Sequence, residues 1–304
     1  GRIVDDISID EALKKRGIYH DHNVLVIATP GENVSVWYEA SDDGHNNLVL
    51  ANPGEDVSVW YDANEDGELT EREFFTFTAE ELGYPKVDRS YTALEFTLER
   101  AWDQKWSLNT SYVWSNLTGN DEGYADSDIV HSESGITTNW DLVAHMEGAN
   151  GDLPNDRTHQ LKVFGAYQIN DNWLVSTNIR VMSGRPINKF GASYPKHADW
   201  PEYGYGNTFY QADGEYNARG TLGRTDTLAN VDISTSYMAN WAGTNITFAV
   251  DVFNVFNSDT VLSLDERGEL LNKERDQVTI NQGYGTPRSR QTPRSIQFSA
   301  SVAF

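Results

Sequence analysis

The sequence predicts an all-β fold of long antiparallel strands, and three observations lead to this prediction. Seven segments alternate between apolar and polar residues, which is the period of a β-strand with two different faces. Tight turns and long links alternate between these segments, and aromatic residues gather at the segment ends. Together these features indicate an antiparallel transmembrane β-barrel with short periplasmic turns and long extracellular loops.

The composition excludes several classes of function. The 304 residues include 46 acidic and 23 basic side chains, for a net charge of −23, and no cysteine. Because nucleic-acid binding depends on clustered cations, this acidity excludes a nucleic-acid partner. The lack of cysteine excludes zinc fingers, iron–sulfur clusters and disulfide frameworks. No apolar run reaches the roughly 20 residues that a membrane-spanning helix needs.

The alternating segments are long enough to cross a membrane at a tilt, which takes roughly 9–11 residues. They are 91–102, 104–116, 158–169, 172–183, 228–239, 243–256 and 293–304. The apolar side of each segment should face lipid. The predicted lipid-facing residues are Leu94, Phe96, Leu98, Leu108, Tyr112, Leu161, Val163, Val175, Ile179, Ile246, Phe248, Val250, Phe298 and Val302.

The links between the segments favour a membrane barrel over a soluble sandwich. Asp103, 170–171 and 240–242 are tight turns, whereas the other links are much longer. Long links are uncommon in compact soluble domains but typical of the outer side of membrane barrels. Tryptophans beside the tight turns predict an interfacial girdle. They are Trp102, Trp106, Trp173 and Trp241, and the long links are 117–157, 184–227 and 257–292.

We divide the chain at residue 90. Residues 91–304 are predicted to supply the C-terminal barrel strands and their extracellular loops. Residues 1–90 are predicted to form a partial barrel with a duplicated hairpin, because 29–44 and 52–67 form a tandem repeat. The end of the second repeat is predicted to run into an acidic extracellular loop.

This acidic loop matches a calcium-binding pattern. The oxygen-bearing side chains and the turn at Gly67 follow the spacing of the 12-residue calcium loop. The predicted ligands are Asp62, Asn64, Asp66, the main-chain carbonyl of Glu68, Thr70 and Glu73. We expect weak binding of Ca²⁺ as the one cofactor, with an acidic turn of no metal affinity as the alternative.

The sequence contains no motif that indicates an enzyme. We find no glycine-rich phosphate loop, nucleophile elbow, zinc-protease helix or acid–base constellation. The chain is therefore expected to bind and pass a ligand without bond chemistry. The candidate ligand contacts lie in the second long link and suit sugars, peptides or cationic chelates alike. They are Trp200, Tyr203, Tyr205, Phe209, Tyr210 and Asp213.

Four motifs resemble the C-terminal barrel of TonB-dependent outer-membrane receptors, in particular the Oar-like group. They are LPNDRTH at 153–159, SGRPIN at 183–188, DVFNVFN at 251–257 and TPRSIQFSASVAF at 292–304. The resemblance implies a barrel of about 22 strands with an N-terminal plug. It also implies energy passed through the TonB protein and import of a scarce nutrient. The terminal strand, with Phe298, Val302 and Phe304, is implied to be read by the barrel assembly machinery.

The resemblance sets the expected location and partners. We expect an outer-membrane protein with extracellular loops that contacts lipid, lipopolysaccharide and an unknown extracellular ligand. We expect contact with TonB through a plug domain that this sequence does not contain, and we expect the chain to be a fragment or a truncated relative. Two alternatives stay open: an extracellular calcium-dependent adhesin or β-sandwich binding domain, and a small passive pore.

Overall fold

A computed structural model describes eleven stretches of the chain. Nearly all of their regular structure is antiparallel β, and helix α1 (Val143–Met146) is one turn long. Within the described stretches, no helix is long and apolar enough to cross a membrane. The described residues are 2–4, 15–16, 25–27, 49–51, 56–61, 74–123, 127, 143–192, 210–241, 243–272 and 277–303.

The structure describes five short strands in the N-terminal part. They are β1 (Arg2–Val4), β2 (Leu25–Ile27), β3 (Val49–Ala51), β4 (Val57–Tyr61) and β5 (Phe74–Phe77). Strand β1 pairs with β3, and β2, β4 and β5 form a three-stranded antiparallel sheet in that order. Most of the predicted hairpin duplication lies outside the described residues, and so does the predicted calcium loop, 62–73.

The main sheet contains seven long strands in a simple meander. Each strand is antiparallel to its neighbour, in the order β19, β14, β13, β10, β9, β7 and β6, and the two-residue β8 adds to β7. The long strands are β6 (Arg89–Arg100), β7 (Trp106–Gly119), β9 (His159–Asn170), β10 (Trp173–Met182), β13 (Leu228–Trp241), β14 (Thr244–Phe253) and β19 (Ser295–Ala303), and β8 is Gly151–Asp152. The seven predicted segments and their antiparallel arrangement are thereby confirmed.

The register of the main sheet separates its side chains into an apolar and a polar face. Directly paired residues of antiparallel strands point to the same side. Val163 pairs with Thr110 and Ile179, and Val250 pairs with Phe298. Tracing the pairs across all seven strands puts every predicted lipid-facing residue on one face, as the alternation predicted.

The apolar face is open within the part of the chain that the structure describes. Phe96 is 63% exposed and Phe298 is 76% exposed. In a water-soluble protein, an apolar surface of this extent is normally covered. The charged residues of the seven strands lie almost entirely on the other face; the exception is Arg100, at the tight-turn end of β6.

The tight turns lie at one end of the sheet and the long links at the other. At the β6–β7 turn, the Arg100 guanidinium lies 4.1 Å from the centre of the Trp106 ring and pairs with Asp103. The N–H groups of Trp106 and Lys105 each donate to Asp103 at 2.9 Å. These two backbone bonds, with a smaller contribution from Arg100, lower the pKa of Asp103 to about 2. Trp106 and the other three predicted girdle tryptophans are exposed at this end.

Candidate functional site

The described parts of the long links lie beyond one end of the main sheet and contact one another, and we name them the outer platform. It comprises the described residues 143–157, 183–192, 210–227, 254–272 and 277–294. Three two-stranded sheets give it local order. They pair β11 (Gln211–Ala212) with β12 (Glu215–Tyr216), β15 (Val261–Leu264) with β18 (Pro287–Arg290), and β16 (Glu269–Asn272) with β17 (Gln277–Ile280).

A buried carboxylate, Glu266, joins the second and third long links. It forms an ion pair with Arg185, and the N–H of Asn188 donates to it at 2.8 Å. Burial raises the pKa of Glu266, although Arg185 acts in the opposite direction. The backbone N–H of Phe190 also donates to the Glu266 carbonyl at 2.8 Å. The two links therefore meet at a fixed, largely dry contact.

A second charged cluster, centred on Arg224, joins the first and second long links. Its guanidinium contacts Asp152 at 2.9 Å and Asp156 at 2.5 Å. Asp156 also accepts the N–H of Leu117 at 2.7 Å, which ties the cluster to β7. Beside it, burial lowers the pKa of Arg157, and the nearby Arg185 and Arg224 act in the same direction. Charged contacts therefore connect all three long links.

Asp265 organises the tip of the third link. Arg267 donates to it through its guanidinium at 2.7 and 2.9 Å and through its backbone N–H at 3.1 Å. Arg288 lies 3.5 Å away. Hydrogen bonding from the Arg267 side chain is the largest cause that lowers the pKa of Asp265 to about 2. The carboxylate is thus ionised across the physiological range.

The predicted ligand contacts are only partly within the described residues. Trp200, Tyr203, Tyr205 and Phe209 lie outside them. Tyr210 is buried in the outer platform, with its ring centre 5.2 Å from that of Phe190 and under the Arg219 guanidinium. Asp213 is exposed at the β11–β12 turn, and its N–H donates to Glu269 at 2.6 Å. Ligand binding by this set stays a prediction.

The predicted calcium site and the predicted assembly signal lie wholly or partly outside the described residues. All six calcium ligands lie outside the described residues. Inside them, no group of three or more His, Asp or Glu side chains could hold a metal ion. Phe298 and Val302 are exposed on the apolar face, whereas Phe304 lies outside the described part.

The polar face carries a cavity of about 680 Å³. Consecutive register partners on five strands line it: Glu99, Asn109, Phe164, Asn178 and Asp232. The Asn109 amide donates to Glu99 at 3.2 Å, and the Asn178 amide donates to Asp232 at 3.3 Å. This wall can offer carboxylates, amides and one aromatic ring to a solute.

Sequence reasoning did not select the residues of this cavity or of the two charged clusters. The motifs contained a usable signal, since LPNDRTH includes Asp156 and Arg157, and SGRPIN includes Arg185 and Asn188. For the cavity, the alternation predicted a polar face but not which polar residues of neighbouring strands lie side by side. That depends on the register of the strands.

No family model matches the sequence. The chain is 26% identical over 257 residues to the TonB-dependent transporter Oar of Myxococcus xanthus, and the match covers 73% of this chain and 23% of Oar. The crystal structure of the ferric-catecholate import receptor Fiu of E. coli K12, in its closed form, aligns with a TM-score of 0.39 and 15% identity, covering 81% of this chain and 24% of Fiu. The chain thus spans about a quarter of each protein. The match to Oar confirms the resemblance to TonB-dependent receptors that the motifs indicated.

Proposed function

We propose that this chain, a relative of TonB-dependent transporters, forms the C-terminal wall and outer loops of an outer-membrane receptor for energised nutrient uptake. The observation that carries the proposal is the division of the main sheet into an open apolar face and a charged, polar face. A sheet of this kind suits a barrel with lipid outside and a polar lumen inside. The similarity to Oar supports the same assignment.

The proposed orientation follows from the two ends of the sheet. Tight turns with exposed tryptophans suit the periplasmic interface, where amphipathic rings are favoured. The outer platform would then face the outside, beside lipopolysaccharide and the incoming ligand. A complete receptor of this type has about 22 strands, and closure would require strands from the rest of the receptor.

The proposed partners follow from this role. TonB would act through a plug domain elsewhere in the receptor, and the barrel assembly machinery would insert the strands. The polar wall and the outer platform would guide the ligand. The work is binding and passage, with no bond made or broken.

Fractionation and detergent dependence test the membrane assignment. The receptor that contains this chain should sediment with the outer membrane and stay monodisperse only in detergent. A protein that stays monodisperse in plain buffer would instead support the extracellular β-sandwich or adhesin. Such a sandwich would need a second layer over the apolar face, and no such layer is present in the described residues.

A separate experiment tests the energised step. Formaldehyde cross-linking in intact cells, followed by purification of the receptor, should recover TonB, and a cross-link to TonB should be absent from a TonB-deletion strain. A receptor that reaches the outer membrane but never cross-links to TonB would favour the passive pore.

A further inference from the structure

Two cations stand side by side on the polar face of the main sheet. Lys162 of β9 and Arg180 of β10 are direct register partners, and both side chains are exposed. Like charges directly opposite each other on neighbouring strands are destabilising. In a chain with a net charge of −23, carboxylates are plentiful, so an unneutralised pair here needs an explanation.

The charges next to this pair do not neutralise it. Among the residues that the structure describes, no hydrogen bond or ion pair reaches the side chain of Lys162 or of Arg180. The flanking register partners are the uncharged Ser111 and Asn230. Asp232, which lies two residues along β13 from Asn230, already accepts hydrogen bonds.

The partners of Asp232 are all uncharged donors. The side-chain amide of Asn230 donates at 2.8 Å, the backbone N–H of Asn254 at 2.9 Å, and the side-chain amide of Asn178 at 3.3 Å. Asp232 is thus held by asparagine side chains of β13 and β10 and by the backbone just beyond β14, while the Arg180 side chain is left unpaired within the described part of the chain.

We propose that Lys162 and Arg180 form an oxyanion-binding clamp on the inner wall of the barrel, which takes one carboxylate or phosphate group. A guanidinium presents paired donors that match such a group, and an ammonium adds a point charge. The location is near the outer mouth, since Arg180 is two residues from the end of β10. The proposal rests on the proposed function, because it assigns the polar face to the lumen.

The oxyanion can come from two sources. It is either an acidic side chain from another part of the receptor or a free anionic solute in the lumen. The test uses the full receptor in outer-membrane vesicles, and any cysteine elsewhere in the receptor is first replaced, since this chain has none.

A cysteine reporter next to the clamp distinguishes these cases. Ser111→Cys places a thiol directly opposite Lys162. Its reaction is followed with anionic methanethiosulfonate ethylsulfonate and with the cationic trimethylammonium reagent. If the clamp is open to solute, the thiol should react about tenfold faster with the anionic reagent than with the cationic one. Combining Lys162→Gln with Arg180→Gln should remove this difference in rate.

Two further arms identify the occupant. Citrate or inorganic phosphate should slow the anionic reagent more than chloride at equal ionic strength if the site takes a free solute. If the receptor's own carboxylate fills the clamp, both reagents should react slowly until the double Gln variant frees the site. Equal rates for both reagents, unchanged in the double variant, would overturn the proposal.

A control on the opposite face keeps the barrel assignment separate. Val163→Cys, the neighbour of Lys162 on the apolar face, should resist both reagents in vesicles, whereas Ser176→Cys on the polar face should react. Reaction at Val163→Cys as fast as at Ser176→Cys would count against the proposed function. If Val163→Cys resists both reagents and Ser176→Cys reacts, but Ser111→Cys reacts equally fast with both reagents, the result would count against the clamp and not against the proposed function.

Discussion

Single motif residues connect strand ends to the loops above them. In DVFNVFN, Asn254 has a positive φ of 49° and its amide donates to the carbonyls of Ser258 and Thr292, each at 2.8 Å. Asparagine tolerates this backbone region better than most side chains. Asn257 in turn accepts the N–H of Arg294 at 3.0 Å. The motif therefore closes the end of β14 against the start of β19, a role that its sequence alone did not reveal.

The carboxyl of Asp265 should make the outer platform sensitive to strong acid. Its folded pKa of about 2 lies below the ordinary 3.8, so its stabilising effect is complete above about pH 4 and is lost as the pH falls toward 2. Protection of the Arg267 and Gly285 amides against hydrogen exchange, relative to the intrinsic rate at each pH, should fall over that window. Asp265→Asn should show the lower protection already at neutral pH, with no further change in this window. A variant with the same protection profile as the unsubstituted protein would contradict the prediction.

Gly184 should be intolerant of even one added methyl group. A Cβ at this position would lie 1.6 Å from the backbone oxygen of Thr225. The same segment is held by a 2.9 Å bond from the Thr225 N–H to the Arg185 carbonyl. Gly184→Ala should therefore separate these chains and raise exchange at Thr225. Gly165→Ala is the control, because its Cβ would meet its nearest atom at 3.7 Å; similar effects in both variants would refute the packing argument.

The long strands could be predicted from sequence because their signal is local. Alternation over ten or more residues specifies both the strand and its faces, and all seven strands were found within a few residues of their observed ends. Strand β7 runs to Gly119, beyond the predicted end at residue 116, because it pairs with the first residues of β6 where no apolar alternation remains.

The elements of the outer platform could not be predicted in the same way. Its strands have two to four residues, too few for a period to emerge. Their positions depend on contacts between residues far apart in the chain, such as Arg185 with Glu266. The charged contacts of the outer platform were not predicted for this reason, since neither Arg185 nor Glu266 is distinctive in the sequence without the other.

A charge on the apolar face should impair assembly, and a charge on the polar face should not. Val250 and Ser299 lie on adjacent strands, but Val250 pairs with Phe298 on the apolar face and Ser299 pairs with Ala249 on the polar face. An arginine near the bilayer midplane costs about 2–4 kcal/mol. Val250→Arg should reduce the amount of folded receptor in the outer membrane, measured by heat-modifiable gel mobility. Ser299→Arg should match the unsubstituted protein, and equal tolerance at both positions would argue against the barrel.

The acidic loop at 62–73 is predicted to bind calcium weakly. Its ligand spacing is complete, and extracellular sites of this type have dissociation constants of about 10⁻⁴–10⁻³ M. Calorimetric titration should give a saturable heat that Asp62→Ala and Glu73→Gln each weaken. Identical titrations for all three proteins would mean that the loop is an acidic turn without affinity for metal.

The main sheet has two free edges within the described residues, β6 and β19. Each unpaired backbone group in hydrocarbon costs several kcal/mol, so a sheet in a membrane must have both edges paired. We therefore expect both edges to pair with further strands of the receptor. We expect, from the family resemblance, that the last strand also presents the chain to the assembly machinery.

Deleting Phe304 should separate these two tasks of the terminal strand. Strand β19 makes its pairs with β14 from Ser295 to Ala303, so the deletion removes none of those pairs. The alternation of the sequence predicts that Phe304 belongs with Phe298 and Val302 on the apolar side, where it should anchor the strand at the inner interface. The full receptor without Phe304 should therefore be synthesised at the normal level but reach the outer membrane in reduced amount, as measured by immunoblots of whole cells and membrane fractions. Phe304→Tyr, which keeps an interfacial ring, should restore insertion. Normal outer-membrane levels of the deleted form would show that neither the anchor nor the recognition end depends on this residue.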